Sequence, residues 1–159
     1  MNKIHRRVEY ALMALKHMQQ KRPGQLTSAK EISDALGIPF DATSRSLQIM
    51  AGQRILQAEQ GAHGGYLIVR DLERVTLYDL MEMILGSMGV AKCLNSICEI
   101  RSTCNIVSPV QTLNRKLGEF YRSLTLAELV GDRAPGAVPG KLGKSVEPER
   151  SVSPEVSHG

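Results

Sequence analysis

Cys93, Cys98 and Cys104 are the only cysteines of the chain, and all fall in one stretch, "AKCLNSICEIRSTCN", residues 91–105. The gaps between them are four and five residues, which do not trace one face of a helix, so helix packing does not account for them. Their neighbours Asn95, Ser96, Glu99, Arg101, Ser102, Thr103 and Asn105 are polar, as in an exposed loop rather than a core run. Clustered thiolates are soft ligands that suit zinc or an iron–sulfur cluster. No Cys-x-x-Cys pair is present, which counts against a zinc knuckle or a thioredoxin-type redox pair. Three sulfurs also leave a fourth coordination position to be filled from elsewhere. A metal centre, a disulfide and buried thiols therefore stand as the alternatives. Enzyme chemistry is not expected: His5, His17, His63 and His158 are scattered, and neither a Ser–His–acid set nor a phosphate loop can be found.

The flanking elements must position this loop. Residues 2–20 read as a helix from Ile4, Val8, Ala11, Leu12 and Leu15 at helical spacing. Ser28 and Glu31 have the spacing of a capping box for a second helix with Ile32, Ala35 and Leu36 inward and Gly37 at its end. Asp41 is the expected N-cap of a third helix after Pro39, with Leu47 and Met50 facing the core. Two short helices joined by a tight turn and backed by an earlier one give a helix-turn-helix outline. Strand-like runs at 54–59 and 66–70, separated by Gly61, Gly64 and Gly65, add a hairpin. The expected class is therefore mainly α with a small β-hairpin wing, a winged helix-turn-helix over residues 1–88.

Thr76 and Asp79 should cap a further helix with Leu77, Leu80, Met81 and Ile84 inward, the methionines serving as core filler. The cysteine loop then occupies 89–105. Beyond it Ile106, Val110, Leu113, Leu117, Phe120 and Leu124 step by 4, 3, 4, 3 and 4, a heptad seam that fits a homodimerisation helix. Thr125 and Glu128 cap a short last helix, so that 106–130 forms the dimerisation segment. Residues 131–159 are rich in Pro and Gly, poor in large apolar side chains, and expected to be disordered.

Charge is uneven. Residues 1–70 carry ten Lys/Arg against five Asp/Glu, whereas 71–159 carry ten against eleven. The basic half is the one with the helix-turn-helix outline, which points to double-stranded DNA as partner. Asp41, Ala42, Ser44, Arg45 and Gln48 should face outward on the third helix, where Arg45 and Gln48 can pair with base edges. Gln60 and His63 sit at the wing tip, and Lys3, Arg6 and Arg7 are candidates for phosphate contact. A winged helix that docks on another protein is the competing outline. No apolar run approaches a membrane span, and the charged start "MNKIHRRVEYALMALKHM" is no signal peptide, so the expected compartment is the cytoplasm.

Read in order, "YALMAL", "EISDALGIPF", "GAHGGYLIVRD", "VTLYDLMEMI", the three cysteines and "LTLAELV" resemble the Rrf-type winged-helix transcription regulators over about residues 1–130. The resemblance implies a homodimer on palindromic promoter DNA, with some members carrying an iron–sulfur cluster. Loss, oxidation or nitrosylation of that cluster changes DNA affinity. The family usually has five residues in both cysteine gaps, whereas the first gap here has four. IscR-like members place a His three residues after the last Cys, a position held here by Val107, which cannot ligate. NsrR-like members use an acidic residue of the first helix, and the matching position is Glu9. The resemblance thus implies Cys93, Cys98, Cys104 and Glu9 as ligands, Glu9 reaching across from the other subunit. His5 and a small external ligand are its rivals. Three Cys and one oxygen favour a 4Fe–4S cluster over 2Fe–2S, in a sensor of iron, redox state or nitric oxide. The family's wing often has Arg where this chain has Gln60.

Overall fold

A computed structural model describes residues 4–91 and 97–131. Lys3, Cys93 and the Pro/Gly-rich stretch from 132 onward lie outside the described residues, and the expectations placed on them lie there too. Helix α1 (Arg6–Gln19) is the central strut against which most of the later elements pack. Val8, Ala11, Ala14, Leu15 and Met18 form its buried face, and the two alanines keep that face low enough for close neighbours. The helix begins later than the periodicity predicts. His5 is the N-cap, its Nδ1 accepting the Arg7 N–H at 3.2 Å, so Ile4 precedes the helix and is exposed rather than core.

Helix α2 (Ala29–Leu36) starts at Ser28, whose Oγ accepts the Glu31 N–H at 3.1 Å. The reciprocal half of the capping box is not made. The Glu31 carboxylate turns instead to His17 of α1 and to Lys21, just past the end of that helix. Ile32 is buried and Leu36 half-buried as expected, but Ala35 is exposed. Gly37 closes the helix in the left-handed conformation at φ 64°, which a side chain would disfavour.

Helix α3 (Phe40–Gly52) is capped by Pro39, not by Asp41. Pro39 is extended, and its carbonyl accepts both the Thr43 N–H at 3.1 Å and the Thr43 hydroxyl at 2.9 Å. Asp41 falls inside the first turn, where its carboxylate still complements the helix dipole.

Strands β1 (Leu56–Glu59) and β2 (Gly65–Ile68) form the antiparallel hairpin, with Leu56 opposite Ile68 and Glu59 opposite Gly65. Thr27 joins β2 through two backbone hydrogen bonds with Tyr66, at 2.9 and 3.1 Å. That pairing explains Gly65: a Cβ there would stand 2.9 Å from the Thr27 carbonyl. Gly61, with φ 119°, supplies the turn.

After a short 3-10 turn at Leu72–Arg74, helix α4 (Leu77–Leu85) carries the full capping box of Thr76 and Asp79. Its buried side chains are Leu77, Leu80, Met81 and Ile84, the stripe read from the sequence. Helix α5 (Val107–Ser123) and helix α6 (Leu126–Val130) complete the chain. The base of α5 is pinned to the start of α4 by Leu77 N–H to Leu124 O and Leu126 N–H to Val75 O, both 2.8 Å. Helices α4 and α5 therefore form an antiparallel hairpin, and Cys98 and Cys104 lie in the segment that connects them. Gly118, buried on α5, faces Tyr78 of α4, over whose ring the Arg122 guanidinium lies at 3.6 Å. Helix α6 returns to the N-terminal core, where Leu126 and Val130 are buried with Leu15, Leu47 and Leu80. Each such fully buried aliphatic side chain contributes about 1.5–3 kcal/mol. Among the described residues no helix is long and apolar enough to cross a membrane.

Candidate DNA-reading face and cysteine loop

The inward side of α3 is Thr43, Ser46, Leu47 and Met50. Two of these are polar, and each spends its hydroxyl within the helix: Thr43 on Pro39 O and Ser46 on Ala42 O, both at 2.9 Å. The core thereby fixes which side of α3 faces out. Asp41, Arg45 and Gln48 are exposed and Ala42 and Ser44 half-buried, in agreement with the sequence. Gln48 Nε2 donates to Ser44 Oγ at 3.4 Å, one turn back, so the two act as one polar unit. Gln60 and His63 are both exposed at the wing. One residue of this end was not legible: Phe40, the first residue of α3, is 51 % exposed. An aromatic beside Pro and Ile reads as core, and only its place in the first turn betrays it.

Arg6 and Arg7 are exposed at the start of α1. Arg6 Nε lies 3.7 Å from Glu9 Oε2, so a candidate phosphate contact and a candidate metal ligand face each other. With side chains 74 % and 43 % exposed, this i,i+3 pair is weak and easily exchanged for another partner. His5, the rival ligand, is engaged as the helix cap.

In the loop, Cys98 and Cys104 are free thiols and partly exposed. Two tight turns lie between them, with Arg101 N–H donating to Cys98 O and Thr103 N–H to Ile100 O, each at 3.2 Å. Ile97 and Ile100 flank the first of these thiols and stand 99 % and 65 % exposed. Neither Cys98 nor Cys104 is tied up by packing or by a disulfide, and both can serve as soft donors. Among the described residues no group of three or more His, Cys, Asp or Glu comes together as a metal site, so one protomer does not bring Glu9 to Cys98 and Cys104. Val107 opens α5 with an aliphatic side chain.

Residues 4–132 match the Rrf2 family, described as iron-dependent transcriptional regulator. The chain belongs to the Rrf2 family. It is thereby a DNA-binding transcription regulator and not an enzyme. Rrf2 regulators bind DNA and typically act as dimers, and the family includes iron–sulfur cluster binders such as IscR. Solved structures with the same fold include CymR (YrzC), the global cysteine regulator of B. subtilis, with a TM-score of 0.65 at 18 % identity over 84 % of this chain and 100 % of that one. The oxidised form of CymR from Staphylococcus aureus matches with a TM-score of 0.61 at 15 % identity, over 84 % and 99 % of the two chains. IscR of T. potens matches with a TM-score of 0.59 at 18 % identity, over 85 % and 94 %. At these identities the likeness is one of fold.

Proposed function

We propose that this Rrf2 protein is a homodimeric regulator whose promoter affinity is set by an iron–sulfur cluster on the loop between α4 and α5. Cys93, Cys98 and Cys104 would hold the cluster, with Glu9 of the second protomer as the fourth, weaker ligand. The carrying observation is the place of the thiols: Cys98 and Cys104 are free and partly exposed at the tip of the α4–α5 hairpin. Three thiolates and one carboxylate suit a 4Fe–4S cluster better than 2Fe–2S, and the labile corner suits a sensor of iron, redox state or nitric oxide. The Arg6–Glu9 pair is compatible with this role, since an exposed pair is released at little cost.

The dimer would form along α5. Ile106, Leu113 and Phe120 recur every seven residues and are each more than half exposed in one protomer, while Val110, Leu117 and Leu124 flank them half-buried. DNA would be read by Asp41, Ser44, Arg45 and Gln48 in the major groove, with Gln60 and His63 at the wing and Lys3, Arg6 and Arg7 on phosphates.

Anaerobic Mössbauer spectroscopy with iron and sulfide analysis of the purified dimer tests the cluster. Iron and sulfide in equal amounts, near four of each per protomer, are the expected result. Stoichiometric zinc with no iron–sulfur absorption would replace the cluster with a structural metal. The same free thiols, Cys98 and Cys104, would support a thiol–disulfide switch if the protein proves metal-free and its DNA affinity changes on oxidation.

A further inference from the structure

We infer that Phe40 is a base-reading residue that recognises the 5-methyl group of a thymine in each half-site; this rests on the DNA-reading role given to α3 above. The chain has two phenylalanines and no tryptophan, and both phenylalanines are more than half exposed, Phe120 at 56 % and Phe40 at 51 %. The core is built from aliphatic and methionine side chains instead, and Phe40 is not among the residues packed against it. Phe120 belongs to the apolar stripe of α5. No such stripe accounts for Phe40.

Its position does. Phe40 is the first residue of the recognition helix, and residues in this turn approach base edges when such a helix enters the major groove. It lies one turn before Ser44 and precedes Asp41, so it borders the polar face that carries Arg45 and Gln48. A polar side chain here could compete for bonds to the bases. A bare ring offers only apolar contact, and in the major groove the apolar feature is the thymine methyl. The backbone that carries the ring is fixed. Pro39 fixes the chain before it, and the Pro39 carbonyl is locked by the two bonds from Thr43. Asp41 beside it accepts hydrogen bonds only, so it fits a cytosine amino group and rejects a neighbouring acceptor. The predicted half-site therefore pairs a methyl-bearing position, set by Phe40, with a donor-bearing one, set by Asp41.

The test uses the full-length dimer, with cluster reconstituted anaerobically, and a duplex carrying the palindrome it selects from a random-sequence pool. Each thymine is replaced in turn by deoxyuridine, which removes the methyl and nothing else. For the wild type, one thymine per half-site should be sensitive, by about fourfold when one half-site is substituted and about fifteenfold when both are. Phe40→Ala should weaken binding to the unmodified duplex by at least those factors and be indifferent to deoxyuridine at that position. Phe40→Leu should retain part of the sensitivity. Helical content and thermal midpoint of both variants should match the wild type, since an exposed first-turn residue carries little of the fold. Undiminished affinity of Phe40→Ala overturns the inference, as does a loss of affinity with the wild-type deoxyuridine profile kept, which would mean a backbone or protein contact. If the wild type enriches no sequence and Arg45→Ala changes nothing, the reading role of α3 fails as well. Enrichment with an Arg45 effect but no Phe40 effect removes only the inference about Phe40.

Discussion

Replacing Leu113 by Glu should break the proposed α5 dimer and leave the protomer folded. In one protomer Leu113 is 51 % exposed, with Ile106 at 55 % and Phe120 at 56 % one heptad to either side. Fully burying a side chain of this size is worth about 1.5–3 kcal/mol, so covering the exposed half contributes about 1 kcal/mol. A two-fold interface counts each residue twice, so the substitution removes roughly 2 kcal/mol, or about 30-fold in the dissociation constant. Two carboxylates brought to one apolar seam add a desolvation and repulsion cost on top. Sedimentation velocity across a concentration series reads the dissociation constant, and far-UV circular dichroism reads the helix. The expected result is a constant raised by at least about 30-fold with unchanged helical content. Gln111→Glu, which adds the same charge at an exposed position on the other side of α5, should leave it alone. A Leu113→Glu dimer within about threefold of the wild type would refute the reasoning, because the stripe would then not be the seam.

Three other perturbations follow from particular contacts. The hydrogen bond from Lys21, helped by His17, holds the Glu31 carboxyl below its ordinary value against the opposing effect of burial. A lowered folded pKa stabilises the protein fully above the unfolded value and is lost as pH falls through the folded one. Glu31→Gln should therefore lower the urea midpoint at neutral pH, with the gap to wild type beginning to close below about pH 4.3, the ordinary glutamate value; a gap that does not narrow at all as pH falls below that value would exclude the ionic origin. Gly65→Ala puts a methyl 2.9 Å from the Thr27 carbonyl and should cost about 1–3 kcal/mol by parting Thr27 from Tyr66, read as a lower thermal midpoint. With the proposed cluster bound, Glu9→Ala should shorten the lifetime of its iron–sulfur absorption in air; an unchanged spectrum and lifetime would remove Glu9 from the proposed ligand set.

Much of the fold was legible because its signals are local. The Thr76–Asp79 box, the α4 stripe, the left-handed Gly37 and the inward Leu47 and Met50 all depend on residues within one or two turns. The misreadings arose where another group won, in most cases one distant in sequence. Glu31 has the right spacing for a reciprocal cap, but the Lys21 ammonium just past α1, with the His17 ring of α1 beside it, offers its carboxylate more than one backbone N–H can. Asp41 is a good N-cap by type, but Pro39 already takes the cap position two residues earlier. The Thr27–Tyr66 bridge joins residues far apart in sequence, so Gly65 reads as turn freedom when its real constraint is space. The outward set on α3 was legible by period. Phe40 was not, because hydrophobicity alone cannot separate a core ring from one that faces a groove.

The hairpin geometry bears on how a change at the cysteines would reach the DNA. The base of the α4–α5 hairpin is fixed twice, by the Leu77–Leu124 and Val75–Leu126 backbone bonds, and α6 fuses that base to the core around α1. The tip has no comparable clamp among the described residues; one bond, from Val90 N–H to Asn114 Oδ1 at 3.1 Å, crosses near it. Helix α5 has 17 residues and so spans about 25 Å. On the proposed reading, ligand loss that moves the tip by about 2 Å would tilt α5 by about 5° around its fixed base. With the proposed seam running the length of α5, the tilt would be passed to the second protomer rather than absorbed. In each protomer α3 packs on α1, and in the proposed dimer two such readers would have to meet half-sites about 34 Å apart in one phase of the duplex. A change too small to disturb either protomer's core is then enough to put the readers out of register. A loop that binds and releases a group at the free end of a lever, with the seam on the lever itself, needs no rearrangement of the winged helix to control binding.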